Sequence, residues 1–469
     1  MSASLSPGSQ PQPCELLIRN GYVITIDAER RVFAQGAVAI DGGAIVAVGR
    51  DQELAAAFRP QRVLDAAGAP VHPGFLDCHA HVTLHTTRGA FPDSPSEAEY
   101  MAYYTRWMNA MEADDEYASA LLAYLEMLRN GITCFLEPGT VFEPAAAAEA
   151  AERIGIRGSV TDPYIWDLDS SPGIHELTRA PVNRERALRL LGHQLSRNAD
   201  PEALVRGHVN VYGIASASDE LEREAKACAD EAGVVLTQHQ NFDPEDVQAD
   251  DARWGKHALR HMSEIGCLGP NCVFAHMNFV RDDEVGPLVD SGTAIAWNPG
   301  NYLNYGIGSI VRTRVPELYR LGVPVGPASD VAKVWAFGEQ GFLGYLLARE
   351  KQDYLSPEEV LEMATVSAAQ ALGLADRVGS LEPGKRADVV IRTRDVSEAH
   401  PALDVIRNLV LVDRSKSVDT VLVDGRVVVE HGRAVLVENE EVYELAERSA
   451  RRIADRLGLS PGTTWPLVQ

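Results

Sequence analysis

Two histidines one residue apart, His79-Ala80-His81, stand in the stretch Val71-His72-Pro73-Gly74-Phe75-Leu76-Asp77-Cys78-His79-Ala80-His81. In an extended strand, residues i and i+2 project to the same side, so both imidazoles can reach one metal ion. Pro73-Gly74 is a turn signal that places the pair just inside a new strand. Three more residues able to bind a metal or move a proton follow short apolar runs: His239 after Leu236-Thr237-Gln238, His276 after Phe274-Ala275, and Asp330 after Gly326-Pro327-Ala328-Ser329. A lone histidine is more often a surface or satisfied core residue than a ligand. Their value as a set depends on the elements that carry them.

The 469 residues, 45% hydrophobic and 23% charged, are enough for one large domain and a smaller one. A net charge of -24 argues against nucleic acid or an anionic membrane as partner and leaves small neutral or cationic molecules open. The six cysteines have no paired spacing and read as reduced thiols of a cytoplasmic protein. Residues 1–13 are rich in Ser, Pro and Gln, form an expected disordered tail, and lack the apolar run of a signal peptide. No apolar stretch is long enough to span a membrane.

Residues 16–25 and 37–49 are β-branched runs, the second broken by Asp41-Gly42-Gly43 as in a tight hairpin. Their counterparts lie at the far end, in 379–391 and 420–429. The reading is a small β-sandwich domain built from both chain ends, 14–72 plus 375–440, with 441–469 as a C-terminal helical extension. Between them, 73–374 alternates strand and helix: Tyr117 to Asn130 has helical spacing and stops at Gly131, and 132–136 and 156–160 read as strands, as do later runs near 209, 234, 272, 293 and 323. Such α/β alternation implies a parallel sheet with helices outside, and eight units close into a (β/α)8 TIM-like barrel with its chemistry at the C-terminal ends of the strands.

Pro73-Gly74-Phe75-Leu76-Asp77-Cys78-His79-Ala80-His81 resembles the first barrel strand of the amidohydrolase superfamily. The stretches 379–391 and 420–429 resemble the superfamily's C-terminal signature, and Arg88-Gly89 and Trp297-Asn298-Pro299-Gly300-Asn301 are similar to elements of its cytosine deaminase and triazine chlorohydrolase subgroup. The resemblance implies that His79, His81, His239 and Asp330 hold one divalent ion. Three imidazoles and a carboxylate suit Zn most directly, with Co, Fe or Mn as alternatives. It further implies that Asp330 is base and then acid, and that His276 stabilises the developing oxyanion. Binuclear members carry a lysine at the fourth strand end, and 209–218 has none, so one metal is expected. Family habit implies a homo-oligomer, dimer or tetramer.

One departure decides the expected chemistry. The deaminases of the subgroup have His-x-x-Glu at the fifth strand, where the glutamate shuttles a proton to a ring nitrogen; here the third position after His239 is Phe242. Phenylalanine carries no proton, so the first expectation is hydrolysis of an amide-like bond in an amide, carbamate, thiocarbamate or urea, where a polarised carbonyl makes no such demand. The whole chain also resembles the phenylurea and molinate hydrolases, which implies a small neutral substrate of herbicide type. The alternative is a deaminase or dechlorinase of a pyrimidine or s-triazine ring, with another residue in the glutamate's place. Phe242, Trp297, Asn301, Trp107 and Trp166 are the expected substrate contacts, and 162–183 is an expected lid segment.

Overall fold

The computed structural model describes residues 10–91, 97–169, 177–331, 337–460, 462–463 and 465–466. The start of the expected tail, 1–9, and the middle of the expected lid, 170–176, lie outside the described residues. A strand, Gln12–Ile24, already begins within the span read as tail.

The two chain ends form one nine-stranded sheet. Val32–Asp41 and Ala44–Arg50 pair antiparallel across the Asp41-Gly42-Gly43 turn. Gly43 has φ 74°, and a Cβ there would lie 2.4 Å from the Arg386 guanidinium, so glycine meets both the backbone and the space requirement. The join between the ends is the antiparallel pairing of Val389, Val390 and Ile391 with Pro73, His72 and Val71. Phe58–Asp65 and Pro70–Pro73 escaped the sequence reading because each carries proline and polar residues that mask a β pattern, and the short strands Val205–Gly207 and Arg433–Ala434 escaped it too. Arg157, buried, fixes this sheet to the middle of the chain: its guanidinium donates to Asp388 (2.9 Å) and to Asp424 (2.9 Å).

The middle is parallel α/β. Phe75–Asp77, Ile132–Leu136, Arg157–Val160 and Val205–Gly207 form one parallel sheet; Val209–Gly213, Leu236–Gln240, Cys272–His276, Ala294–Trp297 and Val325–Pro327 form another. Only His208 separates Val205–Gly207 from Val209–Gly213, and its N–H donates to the Val160 carbonyl. At the other seam the Cys78 N–H donates to Pro327, the Asp330 N–H to His79, and the His81 N–H to Asp330.

Helices between the strands start and stop on local signals. Ala113–Arg129 begins on a reciprocal Glu112/Asp115 cap and ends before Gly131 at φ 80°; Pro144–Ile154 has proline in its first turn and Gly155 at φ 82° just past its end. The C-terminal helix is Asn439–Arg456 and does not continue through the expected extension. Among the described residues, no helix is long and apolar enough to cross a membrane.

Candidate metal centre and cavity

Leu236–Gln240 shows how a strand supplies the site. All five residues are buried; Gln238 and Gln240 face the helices, where they meet Met262 and Asp250, and alternation puts Thr237 and His239 on the opposite side. His239 Nδ1 lies 2.8 Å from the Tyr212 carbonyl, which makes it the donor and leaves Nε2 as a lone pair.

His276 reaches the same place by breaking that rule. Strand register pairs Gln240 with His276, so regular alternation would turn His276 toward the helices. Its backbone instead adopts φ 74°, followed by Met277 at 53°, and the imidazole lines the cavity beside His239 with ring centroids 5.5 Å apart. Other non-glycine residues beyond strand ends share this left-handed conformation: Tyr164, Ile214, Ala215, Asn241 and Asp330. Each costs on the order of 1–3 kcal/mol, a concentration typical of functional sites.

The expected residues converge. Nε2 of His79 and Nε2 of His81 are 3.1 Å apart. His81 Nε2 lies 3.4 Å from Asp330 Oδ1, and His276 Nδ1 lies 3.7 Å from Asp330 Oδ2. Two triads, His79/His81/Asp330 and His79/His239/His276, each bring their ligand atoms within 4.8 Å of one another. Burial lowers the pKa of His79 far below the ordinary histidine value, and lowers His239 to about 4 and His276 to about 3, so these rings present neutral lone pairs. His276 Nδ1 is buried without a hydrogen-bond partner among the described residues. Neutral nitrogens facing one another beside a carboxylate are what a divalent ion requires, and this donor set fits one.

A supporting layer orients these groups, and the sequence reading missed it. His81 Nδ1 lies 2.8 Å from Thr140 Oγ1, which lies 2.8 Å from the buried carboxylate of Glu137. The hydroxyl donates to Glu137 and accepts from the imidazole, which turns Nε2 of His81 toward the cluster. Burial pushes the Glu137 carboxyl up to about 7, while the N–H groups of Thr140 and Gly139 act against it. Asp77 accepts from the His79 N–H and from Ser329, tying the two strand ends that carry His79 and Asp330. Asn301 Nδ2 donates to Asp330 Oδ2 at 2.6 Å. The signal available was Glu137-Pro138-Gly139-Thr140 directly after a strand.

Above the cluster lies a cavity with aromatic walls from Tyr104, Tyr164, Tyr212, Phe242 and Tyr305. Phe242 sits 4.5 Å from His276, centroid to centroid, and Tyr164 stacks on Tyr212 at 5.6 Å. Of the expected substrate contacts, Phe242 and Asn301 line this cavity and three tryptophans do not. Trp107 is fully buried among Met111, Ile453 and Ala454, under the C-terminal helix. Trp166 lies behind the wall, against Tyr164 and Tyr212, with Nε1 donating to the Ala180 carbonyl. Trp297 packs toward Gly344, where a Cβ would come within 2.7 Å of its ring. Arg88 is likewise structural: it and His85 share the Glu126 carboxylate. Asp246 was not anticipated. It lines the cavity and is 8% exposed.

The model of the amidohydrolase family matches residues 71–428. A 5-methylthioadenosine/S-adenosylhomocysteine deaminase from Syntrophobacter fumaroxidans is 31% identical over 94% of this chain and 98% of its own. A 5'-deoxyadenosine deaminase from Methanosarcina mazei is 26% identical over 94% of this chain and 99% of its own. Among solved structures, a mutant of atrazine chlorohydrolase from Arthrobacter aurescens, complexed with zinc and atraton, aligns with a TM-score of 0.83 at 25% identity, covering 93% of this chain and 100% of that one. An adenosine deaminase from Xanthomonas campestris with bound zinc has a TM-score of 0.86 at 22% identity, covers 95% and 100%, and shares the fold. Both of these sequence relatives carry deaminase names, which favours the ring alternative over amide-like hydrolysis.

Proposed function

We propose that this chain, which belongs to the amidohydrolase family, is a hydrolase of carbon–nitrogen bonds other than peptide bonds whose reaction is displacement of an amino group from a ring carbon of a small planar heteroaromatic molecule. The observation that carries this is the slot of aromatic side chains over the histidine and aspartate cluster, with no arginine or lysine among its described lining residues. Such walls stack on a flat neutral ring, and the described lining offers no cationic side chain to a phosphate. The deaminase names of the relatives point the same way.

In this reading His79, His81, His239 and Asp330 hold one divalent ion, zinc by analogy with the solved neighbours, and the ion when bound supplies Lewis-acid activation of water. Asp330, oriented by Asn301, takes a proton from the water. His276, kept neutral by burial, offers its ring to the oxygen that becomes bonded to the ring carbon. We read the two parallel sheets as halves of one (β/α)8 barrel, supported by the hydrogen bonds at both seams, and the nine-stranded sheet as the composite β-sandwich domain. The homo-oligomer and the cytoplasmic location are carried in the same reading.

A second reading stands on Phe242, which fills the place of the proton-carrying glutamate and favours attack at an acyl carbon. The test is product analysis with zinc-loaded protein on aminated purines, pyrimidines and triazines, and on amides, carbamates, thiocarbamates and ureas. Ammonia from a ring substrate is the expected result. Release of an amine or thiol from acyl compounds alone would overturn it.

A further inference from the structure

Deamination of a heteroaromatic ring needs a proton on the ring nitrogen beside the carbon under attack. Phe242 cannot deliver it, and Asp330 is occupied with the attacking water. Among the described residues lining the cavity, the one carboxyl besides Asp330 is that of Asp246. The chain leaves Leu236–Gln240 through a left-handed turn at Asn241, φ 50°. That turn is pinned by the Asn278 side chain, which donates to the Phe242 carbonyl. The chain then enters the helix Pro244–Trp254, with the Asp243 side chain accepting from the Asp246 N–H at 2.9 Å. This geometry sets Asp246 four residues beyond Phe242, in the first helical turn, on the cavity side. Asp250, one turn further on, accepts from Gln240 on the helix-facing side at 2.8 Å. One helix therefore carries two buried carboxyls, of which Asp246 lines the cavity.

We propose that Asp246 is a catalytic residue that replaces the missing fifth-strand glutamate, protonating the ring nitrogen of a heteroaromatic amine; this rests on the deaminase reading above. As the water oxygen bonds to the ring carbon, one water proton passes to Asp330. Asp246, in its acid form, gives its proton to the ring nitrogen, which receives the C=N π pair. Collapse to the carbonyl breaks the exocyclic carbon–nitrogen bond; the leaving nitrogen takes the proton from Asp330 and departs as ammonia, and the hydroxyl proton of the adduct returns to Asp246. The water supplies both protons, one to ammonia and one to the ring, and both carboxyls end as they began.

The test uses the full-length zinc-loaded protein with a ring substrate from which the wild type releases ammonia. Asp246→Asn should keep its zinc and a KM within about threefold, and lose on the order of 100-fold or more in kcat. Asp246→Ala should regain part of its kcat on addition of formate, while the wild type does not respond. A kcat near wild type in Asp246→Asn, a loss confined to KM, loss of zinc from that variant, or no formate response in Asp246→Ala would each overturn the assignment. If the wild type releases no ammonia from any ring in the panel, the deaminase reading itself fails, a result distinct from an Asp246→Asn variant that matches an active wild type.

Discussion

The floor and the walls of the cavity are built by different rules. The floor draws on His79, His81, His239, His276 and Asp330, each within a few residues of a parallel strand end. The walls draw on Tyr104 from the helix Glu97–Ala110, on Tyr164 and Tyr305 from connections between elements, on Phe242 from a turn, and on Tyr212 from the strand Val209–Gly213. A metal centre tolerates few donor types and little displacement, so its residues keep fixed spacings along the chain. A wall needs only apolar surface at the right place, and many residue types from many elements can provide it.

The largest effects should come from the floor. His79→Ala or His239→Ala should leave the protein with much less than one zinc per chain and no measurable turnover, read by elemental analysis and by assay of the same samples. Retention of full metal and activity in either variant would detach the cluster from the chemistry. Asp330→Asn comes next: the amide still offers an oxygen but accepts no proton, so turnover should fall by at least about 100-fold with the circular dichroism spectrum unchanged. Substantial activity in that variant at neutral pH would place the base elsewhere.

The supporting layer should show intermediate effects. Thr140→Val breaks the link from Glu137 to His81 and should weaken zinc binding by about 10–100-fold in a chelator competition, while Thr140→Ser should restore it. Equal affinities in all three proteins would reduce Thr140 to packing. For the walls, Phe242→Leu keeps an apolar surface, and kcat/KM should change by less than about fivefold. Smallest for catalysis is Trp107→Ala, which should cost about 3–5 kcal/mol of stability in chemical denaturation and leave KM unchanged at temperatures where the variant is folded. A selective rise in KM there would put Trp107 back at the substrate.

The same contrast explains what the sequence disclosed. His79-Ala80-His81 could be read because its chemistry is local, two donors at i and i+2; the pair lies just past the strand Phe75–Asp77 and not inside it, with Ala80 bridged to Asp330. The element order could be read because Gly131 and Gly155 mark helix ends, and Ile132–Leu136 and Pro144–Ile154 fall where the pattern places them. Trp107, Trp166 and Trp297 are expected at the substrate and lie outside the cavity lining, because indole serves a core and a binding wall equally well and neighbours distant in sequence decide between them. Trp107 is claimed by Ile453 and Ala454, and nothing near position 107 announces that helix. Asp246 was hidden for the opposite reason: Asp243-Pro244 is a clear helix start, and an acidic first turn is ordinary capping composition.

The seam of the end sheet bears on how the molecule comes to be made. Arg392 Nε donates to His72 Nε2 across 320 residues of chain, beside the pairing of Val389–Ile391 with Val71–Pro73. During synthesis the N-terminal strands emerge first, and their edge at Pro70–Pro73 has no partner until nearly all the intervening α/β segment has left the ribosome. At about 5–20 residues per second that interval lasts on the order of tens of seconds, with an open strand edge in a crowded compartment. Truncation before Val389 would make the exposure permanent, and the shortened chain should aggregate or depend on chaperones even though every residue of the metal cluster is present.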